Sequence, residues 1–576
     1  MSAFTLPFFR APAPTITPAR PKAKAPVRTQ PATDTMRNRI TIAMAAFVVV
    51  YAVIVGRLIQ FANIDTASAG LGVSAQAAVA AIRPDILDAN GEIVATDIRT
   101  ASVYAEPRRI VDADEAAERL ATVFPELGTA AMRARLGSDA GFMWLRREIT
   151  PAQQAAIHAL GLPGIGFLTE SRRFYPGGGT VGTIVGHVNV DNQGIAGIEK
   201  YIDDAWLGDL YASGFAMSGT IEPVRLSMNL RVQHVLNDEL SQAMERYHAI
   251  GAAGVVMNVN TGEVLAMSSI PDYDPNTPVQ ALDPERVNRV SASVYEMGST
   301  FKIFTTAMAL DSGLVSLHDS FDATRPLRVG GRTINDFHGR NRWLTVPEAF
   351  IYSSNIATAR EALVVGTQGQ QDFLRSLGFM DRLDTELPEV AAPLLPRRWT
   401  DLTTVTVAFG HGMSVSPLAT AAAASAMVNG GNYMPPTFFP RSETQALALS
   451  RRVISEGTSE QMRYLLQLNS VPPGSGSRAS VPGYRVGGKT GTAEKVVDGR
   501  YVSNKRLNTY IAVFPIEDPQ YLVLVTLDEP GPERPGIGAT AGLNAAPTAG
   551  AVIGRIAPML GVQPNFDIQD VPLLTP

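Results

Sequence analysis

The chain has no cysteine, which excludes thiol nucleophiles, disulfides and thiolate metal sites together. Lysine is nearly absent too, with 7 Lys against 42 Arg in 576 residues. In the folded part only Lys200, Lys302, Lys489, Lys495 and Lys505 remain. Where arginine has replaced lysine almost everywhere else, a surviving lysine raises the question whether a compact or titratable ammonium is needed there, and for two of these five the motifs below give a reason. The seven histidines never form a His-x-x-x-His or Glu-flanked pair, so neither a catalytic metal nor any other cofactor is expected. A formal net charge of -5 lacks the basic footprint of a nucleic-acid binder. What is present, 45% hydrophobic and 18% charged residues, is a globular composition long enough for two or three folded units.

Residues 1–39 hold seven prolines and seven basic residues against the single acid Asp34, and read as a disordered basic tail. From Ile40 to Phe61 the chain is apolar except for Thr41, Arg57 and Gln60, long enough to cross a bilayer core of about 30 Å. The expectation is a single transmembrane helix over 40–62, with the basic N-terminal side in the cytoplasm and everything after it outside. Ala67-Ser68-Ala69 imitates a signal-peptide cleavage site, but the length of leader and apolar run favours an uncleaved anchor.

Beyond the anchor, Asn90-Gly91 sits between apolar segments in Arg83–Ala95, a strong hairpin signal. A polar, helix-rich stretch runs to about Pro163, then come Ser171–Gly179, Gly194–Glu199 and a strand-like segment from Glu222 to Asn229. We read residues 63–222 as a non-catalytic module. A second hairpin over Ala253–Met267, turning at Asn260-Thr261-Gly262, opens a large domain over 223–562, followed by a tail at 563–576. Strands at Thr509–Phe514 and Tyr521–Leu527, with helical runs at Ile303–Leu310 and Ala419–Met427, imply an α/β fold in which a mixed sheet is packed with helices.

Ser299-Thr-Phe-Lys302 opens a helical segment and places Ser299 and Lys302 on one side of its first turn. A serine needs a base, and a lysine whose pKa is lowered by burial or a nearby cation can serve. Taken alone, such a pair is most often a helix cap with a solvated lysine. Ser353-Ser-Asn355 enters another helix, and alone it is an ordinary N-cap or else a proton relay at Ser353 with a hydrogen-bonding amide at Asn355. Lys489-Thr490-Gly491-Thr492, preceded by Gly487 and Gly488, reads as an edge strand whose glycines admit another backbone, with Lys489 and Thr490 placed for a carboxylate. Gly483–Thr490 also matches the phosphate-loop pattern, but the chain continues through Gly491 into a strand and a turn at Val496–Gly499, not into a helix.

The three motifs occur in this order in one chain, and two of the few lysines fall on them. In this the sequence resembles the penicillin-binding protein and serine β-lactamase family, whose triple signature is Ser-x-x-Lys, Ser-x-Asn and Lys-Thr-Gly. Arg83–Ala95, Arg173–Pro176 and Gly194–Glu199 look like the pedestal of class B penicillin-binding proteins, which join one membrane helix to a pedestal and a transpeptidase domain. Ser-Ser-Asn followed by Ile-Ala, Lys489–Lys495 and Asp498–Tyr501 are most similar to the FtsI type that builds the division septum. Thr183, Asn229, Asn258 and Thr540-Ala-Gly542 depart from the family pattern, at positions expected on the pedestal and domain edges.

The resemblance implies peptidoglycan D,D-transpeptidation, with catalytic residues Ser299, Lys302, Ser353, Asn355, Lys489 and Thr492, and substrate-binding residues Thr490, Gly491 and Thr492. It implies D-Ala-D-Ala stem peptides as donors, β-lactams as inhibitors, and an FtsW-type division glycan polymerase as membrane partner at the division site. An elongation-type enzyme, a carboxypeptidase or β-lactamase-like hydrolase, and a divisome scaffold are the competing readings. For a hydrolase, Glu389 is the one superficial candidate for the base that would activate water.

Overall fold

A computed structural model describes residues 83–207, 222–497 and 499–567, with isolated helical positions from Met44 to Ile54. The tail over 1–39 and most of the span expected over 40–62 lie outside the described residues. Among the described residues no helix is long and apolar enough to cross a membrane. Two units divide at residues 75 and 76, and the described strands all fall in the second.

That unit begins with a sheet of five strands. β1 (Ile86–Leu87) and β2 (Ile93–Ala105) form the expected hairpin, with Gly91 at φ 89° in the turn, a conformation glycine adopts freely. β2 continues ten residues past Ala95. Across it lie β3 (Met143–Ile149), from Ala101 onward, and β4 (Ile165–Phe174), from Thr96 onward. β3 falls in the stretch read as polar and helix-rich, because Trp-Leu-Arg-Arg-Glu shows no clean alternation; long-range pairing with β2 supplies its order. The helical part of that stretch is real, and the helix α1 (Ala113–Ala121), capped by Asp112, buries Ala116, Ala117 and Leu120 in a core with Val103, Leu145 and Ile149.

The segments Arg83, Arg173 and Glu199, widely separated in sequence, converge behind this sheet. Glu199, on the short helix α2 (Gly197–Ile202), accepts from Arg83 at 2.7 Å and from Arg173 at 2.6 Å. Asp97 takes Arg173 at 3.1 Å and Asp203 takes Arg83 at 2.5 Å. Only β5 (Val224–Arg225) of the strand expected over 222–229 forms, adding in parallel to β1. Asn229 then caps α3 (Leu230–Arg246) by accepting from the Arg231 and Val232 amides, and Asn258 accepts from Asn260 and Thr261 in its turn. In both places asparagine supplies the oxygen that an aspartate would.

The large sheet contains β6 (Gly251–Asn258), β7 (Val264–Ile270), β8 (Gly487–Val497), β9 (Arg500–Phe514) and β10 (Tyr521–Asp528), in the order β8-β9-β10-β6-β7. Every pair is antiparallel where a mixed sheet was expected, because the successive strands β6-β7, β8-β9 and β9-β10 are joined directly as neighbours. Side chains alternate across it. Tyr510, Ala512, Phe514, Val523 and Val525 share one core with α3 and the C-terminal helix α9 (Ala545–Met559). Ile511, Val513, Leu522 and Leu524 share the other with α4 (Lys302–Asp311), α7 (Pro417–Ala426) and α8 (Glu456–Asn469). With both faces covered, β10 reads as a continuous apolar run from Tyr521 to Val525. Between α4 and α7 lie α5 (Asn355–Ser376), broken at Gly366, and α6 (Asp401–Ala408). β8, an edge strand, faces the start of α5 across a cleft.

Candidate active site

Ser299 lies on a tight turn, Gly298–Phe301, that leads directly into α4. Phe301 and Phe304 are buried beneath it, with ring centroids 5.3 and 5.0 Å from that of Phe379. The turn is clamped on both sides. Gly298 donates its N–H to the Gly410 carbonyl at 3.2 Å, and a Cβ on Gly410 would lie 2.0 Å from the Gly298 oxygen. A Cβ on Gly491 would lie 2.6 Å from the Met297 oxygen. Gly488 is closed off in the same way by Tyr510 and the Ile511 carbonyl. The motif glycines were expected to make room for a peptide; the room where their side chains would be is filled by this chain itself, which locks β8 against the serine turn.

Lys302, the first residue of α4, is fully buried. Its Nζ donates to the Ser353 carbonyl, to Ser353 Oγ at 3.0 Å and to Asn355 Oδ1 at 2.8 Å. Lys489 on β8 is also fully buried, donates to the same Ser353 Oγ at 3.0 Å, and stands 5.7 Å from the Phe350 ring centroid. Burial pushes Lys302 down to about 7 against the opposing pull of Asp336 and Glu361. Burial, reinforced by the neighbouring Lys302, pushes Lys489 well below the ordinary lysine range. One hydroxyl thus joins two lysine amines, neither hydrogen-bonded to a carboxylate among the described residues.

Ser353 reaches that position through a left-handed backbone, φ 56°, costly by about 1 kcal/mol or more for a residue with a Cβ. The helix cap is its neighbour: Ser354 Oγ accepts from the Ala357 amide and donates to Asp336 at 2.7 Å, while Asp336 accepts from the Ile356 amide. Capping and bridging, read as alternatives for one motif, fall on adjacent serines. Asn355 also donates its amide to the Asn335 carbonyl at 3.1 Å, which fixes its oxygen toward Lys302.

Ser299, Ser353, Asn355, Thr490 and Thr492 line one cavity of about 520 Å³, with His411 and Arg478 among its other walls. Thr490 Oγ1 is 2.6 Å from Ser475 Oγ, and Thr492 Oγ1 accepts from the Ala541 amide at 3.1 Å. Thr540 and Gly542 line the same cavity, so the departure at Thr540-Ala-Gly542 belongs to the cleft wall and not to a domain edge. Thr183 is elsewhere, with its hydroxyl on Asp272 at 2.6 Å. Glu389 is not in the cleft: both carboxylate oxygens accept from the Gly197 amide on the pedestal, at 3.2 Å. Ser475, Arg478 and His411 are absent from the sequence-based expectation, since no motif spacing marks them. No group of acids and histidines that could hold a metal occurs among the described residues.

The family model described as the penicillin-binding protein transpeptidase domain matches residues 252–554, and that of the penicillin-binding protein dimerisation domain matches residues 78–209. A Caulobacter vibrioides protein named "Probable peptidoglycan D,D-transpeptidase FtsI" is 41% identical over 87% of this chain and 85% of its own. The chain is a class B penicillin-binding protein of the FtsI type. The Escherichia coli "Peptidoglycan D,D-transpeptidase FtsI" is 30% identical over 84% of this chain and 85% of its own. Among solved structures, the transpeptidase domain of Burkholderia pseudomallei penicillin-binding protein 3 matches with a TM-score of 0.53 and 31% identity, covering 59% of this chain and 97% of that one.

Proposed function

We propose that this penicillin-binding protein is a septal peptidoglycan D,D-transpeptidase, and that Ser299 carries the acyl group. The observation that supports this most is the buried Lys302–Ser353–Lys489 bridge beside Ser299, in which Lys302 titrates near 7 and is neutral often enough to act as a base. Neutral Lys302 takes the Ser299 proton as Oγ attacks the penultimate D-alanyl carbonyl of a donor stem. The backbone N–H groups of Ser299 and Thr492 hold the oxyanion. Ser353, flanked by Lys489, relays the proton to the departing D-alanine. Asn355 orients Lys302 and presents its amide to the donor backbone, which adds along the free edge of β8 at Thr490–Thr492 with its carboxylate at Lys489 and Thr490. An amine from a neighbouring stem then attacks the ester, expelling Ser299 and closing the cross-link. A β-lactam enters by the same route and stays as a stalled ester. Glu389, held by the Gly197 amide, leaves the cleft without that carboxylate as a hydrolytic base, which favours transfer over hydrolysis.

The apolar run at 40–62 anchors the chain in the cytoplasmic membrane with its N-terminus inside, and 63–222 raises the transpeptidase domain, 223–562, to the height of the wall. The anchor and pedestal meet the FtsW-type polymerase that supplies glycan. Treatment with a penicillin followed by peptide mapping by mass spectrometry should place the adduct on Ser299, and Ser299→Ala should abolish labelling; an adduct on another serine contradicts the assignment. In cells, depletion should give filaments, whereas rounded cells would assign the enzyme to elongation.

A further inference from the structure

One buried acid has no place in that scheme. Glu361, on α5, is 1% exposed, and its Oε2 accepts from the Thr306 hydroxyl at 2.8 Å. Oε1 is buried with no hydrogen-bond partner among the described residues. Thr306 stands four residues after Lys302 on α4, on the same helix face, so the carboxyl lies about one turn beneath the lysine. An acid that served only packing would be satisfied at both oxygens or replaced by an apolar side chain of similar volume, since an unpaired buried carboxyl is expensive. The groups facing Lys302 are Asp336, Glu361, Lys489 and His411. Asp336 is already occupied by the cap of α5 through Ser354 and Ile356. The group facing Glu361 is Lys302.

We infer that Glu361 is the buried counter-charge of the general base: its carboxylate stabilises the ammonium that forms on Lys302 when Ser299 gives up its proton. It is a positioning residue acting through Lys302 and touches no substrate. The proton balance is simple. Ser299 Oγ–H breaks, Lys302 Nζ gains that proton and a positive charge, and the charge appears in a low-dielectric site where a carboxylate nearby is worth far more than in water. Burial pushes the Glu361 carboxyl up to about 7, so it is ionised only where the lysine charge can hold it so. The two groups titrate as a pair.

A carboxylate beside Lys302 favours its charged form, so removing that charge should let the lysine become neutral at lower pH and also make it a weaker base. The inference rests on Lys302 being the base, and the test keeps the two separable. Stopped-flow acylation of the full-length, membrane-solubilised protein by a chromogenic cephalosporin should be followed from pH 5 to 9 in wild type and Glu361→Gln. Glutamine at this position retains the shape and the Thr306 hydrogen bond. The expected result is a limb displaced about one pH unit toward acid, with a plateau about ten-fold lower. A lowered plateau with an unmoved limb, or an unchanged profile, would overturn the inference. Near-normal acylation by Lys302→Arg would instead remove the base itself. Should Glu361→Gln fold poorly, [ε-13C]lysine NMR of Glu361→Met, which removes the charge with an apolar side chain of similar volume, reads the same titration in a chain with only seven lysines. A Lys302 resonance titrating in the methionine variant as in wild type, in a fold of unchanged melting, would contradict the inference.

Discussion

Two buried clusters of charge in this penicillin-binding protein are built on opposite rules. On the pedestal, Glu199 is shared by Arg83 and Arg173, each of which has a second carboxylate, Asp203 or Asp97. Burial works against the Arg173 charge, but Glu199 and Asp97 outweigh it and hold the guanidinium above its ordinary value. In the cleft, Lys302 and Lys489 share a serine hydroxyl, with no carboxylate in hydrogen-bonding reach, and both fall below theirs. Saturated pairing fixes charge and geometry; incomplete pairing leaves a proton free to move. The residue types obey the same division, because guanidinium holds its proton under any burial and is suited to the first task, while an ammonium can release its own and is suited to the second.

The comparison is broken most severely by exchanging the residue types. Lys302→Arg keeps the charge but cannot act as a base, so acylation by penicillin should fall by about 10²- to 10⁴-fold in stopped-flow measurements on the protein that remains folded. Near-normal acylation would mean that the under-paired cluster owes nothing to proton release. Glu199→Ala attacks the other cluster, leaving two buried guanidiniums short of their shared partner. Stability should drop by about 3–5 kcal/mol in chemical denaturation, while the acylation rate of the protein that remains folded should hold within a few-fold. If Glu199→Ala were as stable as wild type, the pedestal cluster would not be the structural device described.

Much of this is legible in the sequence, for reasons of locality. Ser-x-x-Lys needs only one helical turn, Lys-Thr-Gly only one strand, and an Asn-Gly turn only four residues, so each is written in adjacent letters. The scarcity of lysine then singles out Lys302 and Lys489. Contacts between distant segments are not written that way. Arg83, Arg173 and Glu199 stand in recognisable landmarks, but their convergence spans more than a hundred residues. β3 is hidden because its order comes from pairing with β2 and not from its own pattern. Glu361 looks like any polar residue of a helix until α4 covers it. The motif glycines are conspicuous, yet their use differs from the expected one, since only the fold reveals that Met297 and Tyr510 occupy the space their side chains would take.

A lysine with no carboxylate in hydrogen-bonding reach among the described residues is the base for Ser299, and the pH dependence of wild-type acylation tests this most directly. Because neutral Lys302 is the active form, the rate should be low in acid, rise as pH passes through about 7, and level off above it. A rate that stays flat from pH 5 to 9, or that rises only near the ordinary lysine range of about 10, would contradict the account.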